Sequence, residues 1–162
     1  MGVLQDIGTY EVYFETLTIG DKFKTAGRTV TESDIVAFAG LSGDYNALHT
    51  DAEYAATTPH GARIAHGLLV LSIVSGLSTR LPVMKAMERT ILGLANLQCR
   101  WRRPTKIGDT IHVVLEVAEK KDGAKPDRGA VVLRRTAVNQ RGEAVMESDW
   151  SLILRRQTPL AA

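Results

Sequence analysis

The sequence predicts an α+β protein built on an antiparallel sheet, and two stretches of the chain carry that expectation. One is a strongly apolar segment at residues 64–77. The other is the second half of the chain, where four segments rich in Val, Ile, Leu and Thr alternate with turn-forming residues. Apolar side chains of the first segment occupy nearly every direction around a helix axis, as in a helix enclosed by other structure. One enclosed helix followed by consecutive strands suggests a sheet curled around that helix.

The elements follow in order. Residues 1–9 read as a loose leader and 157–162 as a frayed tail. Residues 14–20 lead into a short strand and turn at 21–25. Thr31-Glu-Ser-Asp34 has the form of a capping box and opens a helix through Ala39, with Ile35, Phe38 and Ala39 at helical spacing. Residues 42–48 read as a loop, 50–56 as a short helix, and 57–63 as a second loop containing Pro59 and Gly61. The central helix spans about 65–79, and strands are expected at 92–102, 110–120, 130–139 and 144–154. Segments 121–129 and 140–143 supply the turns of two hairpins.

The 162 residues fit one domain, 1–162, with its core at about 14–154, and no repeat, low-complexity stretch or linker marks a boundary. Hydrophobic residues at 44% and charged residues at 23% are ordinary for a soluble globular chain. A formal charge of +2 gives no strong nucleic-acid signal. Cys99 is the sole cysteine, which excludes an intrachain disulfide and makes the reducing cytoplasm the easiest compartment. The first ten residues lack a basic stretch followed by an apolar run, so they do not read as a signal peptide. Segment 64–77 is too short to span a membrane and holds His66, Ser72 and Ser75. A curled sheet protects its open edge by pairing, so at least a homodimer is expected.

The chemistry concentrates in Leu41-Ser-Gly-Asp-Tyr-Asn-Ala-Leu-His49. Here Asp44, Asn46 and His49 gather a carboxylate, an amide and an imidazole, and Gly43 loosens the backbone before them. A helix opening at Ala65-His66-Gly67 would aim free N–H groups and its positive dipole end into whatever pocket the acid and base share. Acid, base and an oxyanion-type donor are the parts needed to add or remove water next to a carbonyl, which points to a hydratase. Taken singly, Asp44 is a turn former and His49 a partly buried, satisfied histidine; the combination is what points to a site. His66 reads as structural, a polar side chain capping a helix start. His60 and His112 read as surface or strand residues. With no paired-Cys spacing and no His-Glu-x-x-His helix, the metal signal of His49, Asp51 and His66 is weak. Phosphate-loop and dinucleotide glycine patterns are absent from the sequence, so no nucleotide cofactor is called for.

The same stretch resembles the hydratase-2 signature of the MaoC-like, (R)-specific enoyl-CoA hydratases. Phe38, Leu41, Ser42, Gly43, Asp44, Asn46, Leu48, His49 and Ala55 fall on that pattern. Ala47 departs from it, standing where the family usually has a Pro that stiffens the loop. The resemblance continues in Ile64-Ala-His-Gly-Leu-Leu69, in Ser75-Gly76 and in Pro104-Thr-Lys-Ile-Gly-Asp109, and covers roughly residues 14–154. It implies a hot-dog fold, an antiparallel sheet wrapped around a long central helix, and a dimer or an oligomer of dimers. It implies further that His49 and Asp44 hold the catalytic water, that the Gly67 N–H is the oxyanion donor, and that Asn46 and Ser75 support them. The substrate implied is an acyl-CoA, with CoA as its carrier and no separate cofactor. The basic groups Arg100 to Arg103, Arg134-Arg135 and Arg155-Arg156 are then either solvated strand edges or contacts to CoA phosphates. Leu81, Met84 and Met87 are either acyl-pocket lining or plain core. Alternative readings are a hydratase of branched or dicarboxylic, mesaconyl-type enoyl-CoA, a hot-dog thioesterase, and a non-catalytic acyl-CoA binding subunit.

Overall fold

The computed structural model describes residues 10–159. The leader at 1–9 and the last three residues of the expected tail lie outside that range. Two short strands, β1 (Lys22–Lys24) and β2 (Arg28–Thr29), precede helix α1 (Glu32–Ser42). Two single-turn helices follow, α2 (Ala47–Thr50) and α3 (Ala52–Thr57), then the central helix α4 (Gly67–Thr79) and a short α5 (Pro82–Ala86). Four long strands complete the chain: β3 (Ile91–Trp101), β4 (Thr110–Asp122), β5 (Arg128–Val138) and β6 (Ala144–Arg155).

Strand order is β1-β4-β5-β6-β3, all pairs antiparallel, with β2 also pairing with β4. Burial alternates along β4 and β5, so every second side chain faces inward. Leu69, Val70, Ile73, Val74 and Leu77 of α4 pack on Ile111, Val113, Ala137 and Met146 of the sheet. A second cluster sits beside it, where Leu81, Met84 and Met87 meet Val12, Phe14, Leu115, Leu133 and Leu154. The two methionines and Leu81 are therefore core. This is the hot-dog arrangement, a curled antiparallel sheet holding one long helix.

The helix is enclosed along one face rather than all round. Leu68, Ser72, Gly76 and Thr79 line its exposed side, Leu68 with 58% of its surface accessible. Leu68 is the only large apolar residue among these four, so the segment is apolar enough to read as enclosed while one side stays open.

Elsewhere the differences are local. Helix α1 runs three residues beyond Ala39, because Gly43 closes it in the left-handed conformation at φ 75°. At its start Thr31 and Asp34 form the reciprocal capping box, and Arg28 pairs with the same carboxylate. The helix expected at 50–56 is split at Asp51, whose side chain accepts from Tyr54 N–H and caps α3. The central helix begins at Gly67, two residues later than expected, and β2 and α5 were not expected. The two hairpin turns join β4 to β5 and β5 to β6.

Candidate active site

The loop between α1 and α2 is shaped by its own polar side chains. Ser42 Oγ accepts from Asp44 N–H at 3.2 Å, and Asp44 Oδ1 accepts from Asn46 N–H at 3.2 Å. Asn46 then caps α2, its Oδ1 accepting from Leu48 N–H at 3.0 Å. Asn46 thus steadies the Asp44 carboxylate through its backbone N–H, while its side-chain oxygen is committed to the helix. His49 is lifted out of the loop onto α2, one turn after Asn46.

The segment before α4 brings the second half of the site into place. Ala65 N–H donates to Thr105 O at 2.8 Å, and Ile64 N–H to Leu48 O at 3.4 Å. Ile64 also bridges Lys106. Held from both sides, this segment offers its carbonyl at Ile64 to His49 Nδ1 at 2.8 Å. A carbonyl oxygen can only accept, so Nδ1 carries the proton and Nε2 of neutral His49 keeps a free lone pair. That tautomer is the one a base needs.

His66 occupies the N-cap position of α4, yet its side chain makes no capping bond. Its Nε2 instead reaches the Asp44 carbonyl at 2.9 Å, which assigns the proton to Nε2 by the same argument. Its ring lies 3.9 Å from that of His49 and 5.0 Å from Phe38. Only 2% of His66 is accessible, and its Nδ1 has no hydrogen-bond partner among the described residues. One imidazole therefore braces both the acid's backbone and the base's ring. Asp44, His49 and His66 each place a ligand-capable atom within 4.8 Å of the other two. That is a donor set a divalent metal could accept, although each imidazole already spends one nitrogen on a carbonyl.

Gly67 opens α4, so its N–H has no helical carbonyl four residues back, and it makes no backbone hydrogen bond among the described residues. Gly67 and His49 line one cleft of about 320 Å³ together with Val70, Trp101, Arg102 and Arg103. The indole of Trp101 donates from Nε1 to Gly67 O at 2.9 Å. A Cβ at position 67 would stand 2.7 Å from that same nitrogen, so the ring rests where a side chain would be.

Ser75 is not brought to this cluster. It lies two turns along α4, about 12 Å from Gly67 by helical rise, and makes no side-chain hydrogen bond to a described residue. Of the basic residues, Arg102 pairs with Glu147 and Arg134 with Asp149, while Arg156 holds Glu15 and Asp122. Arg103 stands 3.7 Å from Glu143 at the cleft. Arg135 is buried over the ring of Trp150.

Two residues of this neighbourhood escaped the reading of the sequence. His66 was placed at the helix start but assigned to capping it, whereas it faces Asp44 and His49. Trp101 joins Gly67 across 34 positions of chain, a contact that depends on how β3 lies against α4 and leaves no local pattern.

A sheet curled around one helix, with a carboxylate and an imidazole gathered at that helix's amino end, defines a hot-dog protein with its polar groups at the helix start. The chain belongs to the MaoC-like family, whose domain model, the MaoC like domain, matches residues 14–139. It is 35% identical over 143 residues to an (R)-specific enoyl-CoA hydratase of Rhodospirillum rubrum, spanning 88% of this chain and 91% of that protein. It is 38% identical over 109 residues to a 3-hydroxybutyryl-CoA dehydratase of Methylorubrum extorquens, 67% of this chain but 65% of that protein, just under two thirds of its length. Among solved structures, a monoamine oxidase regulatory protein from Archaeoglobus fulgius superposes with a TM-score of 0.82 at 38% identity, covering 93% of this chain and 99% of that one.

Proposed function

We propose that the protein is an (R)-specific hydratase/dehydratase that adds water reversibly to 2-enoyl-CoA thioesters. The observation that carries this reading is the approach of Asp44 and His49 within 4.8 Å, beside a cleft that His49 shares with Gly67. The β-carbon of an enoyl thioester is a weak electrophile, and neutral water is a poor nucleophile. His49 Nε2 takes a proton from water as its oxygen bonds to the β-carbon. Charge collects on the thioester oxygen and is met by the Gly67 N–H and the positive end of α4. Asp44 helps deliver a proton to the α-carbon, so one water is consumed and the double bond is lost. Asn46 and His66 hold the acid and base in place, and Ser75 has no part in the acid–base cluster. The reaction asks for no metal or separate cofactor, CoA being the carrier of the substrate. Arg103, at the cleft, is suited to a CoA phosphate.

Thioesterases of this fold typically carry an acidic group on the central helix, and Gly67–Thr79 contains none, which argues against that class. A non-catalytic acyl-CoA binding subunit would have no use for the base tautomer of His49. Crotonyl-CoA separates the three readings. The hydratase should consume the enoyl-thioester absorbance without releasing thiol. Free thiol would indicate hydrolysis, and binding with neither change would leave a carrier subunit.

The reading includes a homodimer, or an oligomer of dimers, and the exposed edge of the sheet supports it. Strand β3 forms that edge, and Leu92, Leu94 and Leu97 on it are 40%, 48% and 37% accessible. An edge with bare leucines is an invitation to pair with a second copy. In sedimentation the protein should run at twice its 17.7 kDa or more. Replacing Leu92 and Leu94 together by Glu should release monomers, and a native chain that is already monomeric at micromolar concentration would rule the dimer out. Among the described residues no helix is long and apolar enough to cross a membrane. The single cysteine fits an enzyme of the reducing cytoplasm.

A further inference from the structure

The amide assigned to the thioester oxygen sits at a point where the chain holds itself weakly. The first helical bond of α4 runs from Val70 N–H to His66 O at 3.1 Å, and the Gly67 N–H ahead of it bonds no described residue. Glycine has no Cβ to restrict its backbone angles, so φ and ψ at position 67 wander unless the peptide groups on either side are tied down.

Two ties come from one short segment, 101–105. On one side of the His66–Gly67 peptide, Ala65 N–H donates to Thr105 O at 2.8 Å. On the other side, Trp101 Nε1–H donates to Gly67 O at 2.9 Å. The segment that makes both bonds is itself fixed to the sheet. Trp101 pairs with the buried Met146 at the end of β3. Arg102 N–H and Arg103 N–H both donate to Val145 O, at 2.8 and 3.3 Å. Pro104 then stiffens the chain before the buried Thr105. The end of β3 thus reaches across to the helix start and holds the amide from two sides.

Packing alone does not explain Trp101. Its side chain belongs to neither core cluster and is 49% accessible, so it fills no interior space. Its single polar group is Nε1–H, and that donor is spent on Gly67 O. The ring lies so close over Gly67 that a Cβ there would meet Nε1 at 2.7 Å. Glycine at 67 and tryptophan at 101 therefore fit as a pair, one giving the room and the other the bond.

Building on the hydratase reading, we propose that Trp101 is a positioning residue of the oxyanion contact: its indole N–H fixes the first carbonyl of α4 and, through it, the aim of the Gly67 N–H. An oxyanion donor is effective at about 2.7–3.1 Å from the oxygen as charge develops there. A small turn of the first peptide groups would spoil that contact in the transition state and leave binding of the neutral thioester nearly unchanged.

The test sets Trp101→Phe against Trp101→His. Phe keeps an aromatic ring and has no donor. His is smaller, but its Nε2 occupies the ring position of the indole Nε1 and carries a proton in one neutral tautomer. On crotonyl-CoA, Trp101→Phe should lose on the order of 10-fold in kcat with KM within about two-fold of native, and Trp101→His should keep most of the rate. Equal losses in the two variants, or a faster Phe variant, would make the ring a packing element and overturn the proposal. A spectrum reads the same contact without turnover. The absorbance of 2,4-hexadienoyl-CoA moves to the red as its carbonyl is polarised. Bound to the His49→Gln protein it should show that shift, reduced when Trp101→Phe is added and kept with Trp101→His. A native rate in Trp101→Phe, or a red shift that Trp101→Phe leaves unchanged, overturns the positioning role while leaving hydration intact. If the native protein hydrates no enoyl thioester, the reaction assignment fails and the spectrum decides alone. A shift that depends on the position 101 donor then still supports the held amide, and no shift at all overturns it.

Discussion

Asp44→Asn and His49→Gln should each slow crotonyl-CoA hydration by on the order of 10²–10⁴, with the fold preserved. Asn keeps the shape of Asp44 and can still accept from Asn46 N–H, so the loop between the helices should hold. Gln at position 49 can still donate to the Ile64 carbonyl, but it leaves nothing basic where Nε2 stood. Neither residue belongs to the two core clusters, so thermal stability should change little. The double variant should be little worse than the weaker single one, because both groups serve one water and either loss disables the same step. Steady-state kinetics on the three variants, with melting curves alongside, decide the matter. Near-native rates in either single variant would remove that residue from the chemistry.

His66 bears on the same measurement. Its Nε2 holds the Asp44 backbone and its ring lies against His49, so a change there should act through both neighbours. The sequence placed this histidine at the helix start but could not show which way its ring turned. That direction is set by the Phe38 ring on one side and the Asp44 carbonyl on the other, contacts that span 28 and 22 positions. Local patterns were more legible. The capping box at Thr31 and Asp34 formed as read, and all four long strands were visible from their Val, Ile and Leu content. Their ends shifted by a residue or two, since pairing rather than composition decides where a strand stops. The motif from Asp44 to His49 was legible because its hydrogen bonds are short-range. Arg134-Arg135 held a signal that went unused: adjacent residues on a strand point to opposite faces, so one of the two had to turn inward. Which one depended on the register of β5 against β6, and that is a tertiary fact.

Gly67→Ala should also lower the hydration rate, by on the order of 10²-fold, and the structure supplies the cause. The added methyl would stand 2.7 Å from Trp101 Nε1 and 2.9 Å from Cε2, a separation that no real side chain tolerates. Either the indole swings away and gives up its 2.9 Å bond to Gly67 O, or the first turn of α4 moves. In the second case the N–H assigned to the thioester oxygen leaves its place, and in the first the helix start loses the bond that steadies that amide; a displaced oxyanion donor loses most of its value. A thioester that bonds this amide must also come close to the backbone, and the indole is a second, independent demand on the same space. Adding Trp101→Ala to Gly67→Ala separates them. Should the indole clash be the whole defect, the double variant recovers rate towards that of Trp101→Ala alone. Should the methyl also crowd the thioester, the double variant stays slow, with KM raised along with the fall in kcat. Tryptophan fluorescence and melting temperature track whether the indole and the helix start have moved. A Gly67→Ala protein whose helix start has moved and whose rate is undiminished would take the oxyanion contact away from this amide.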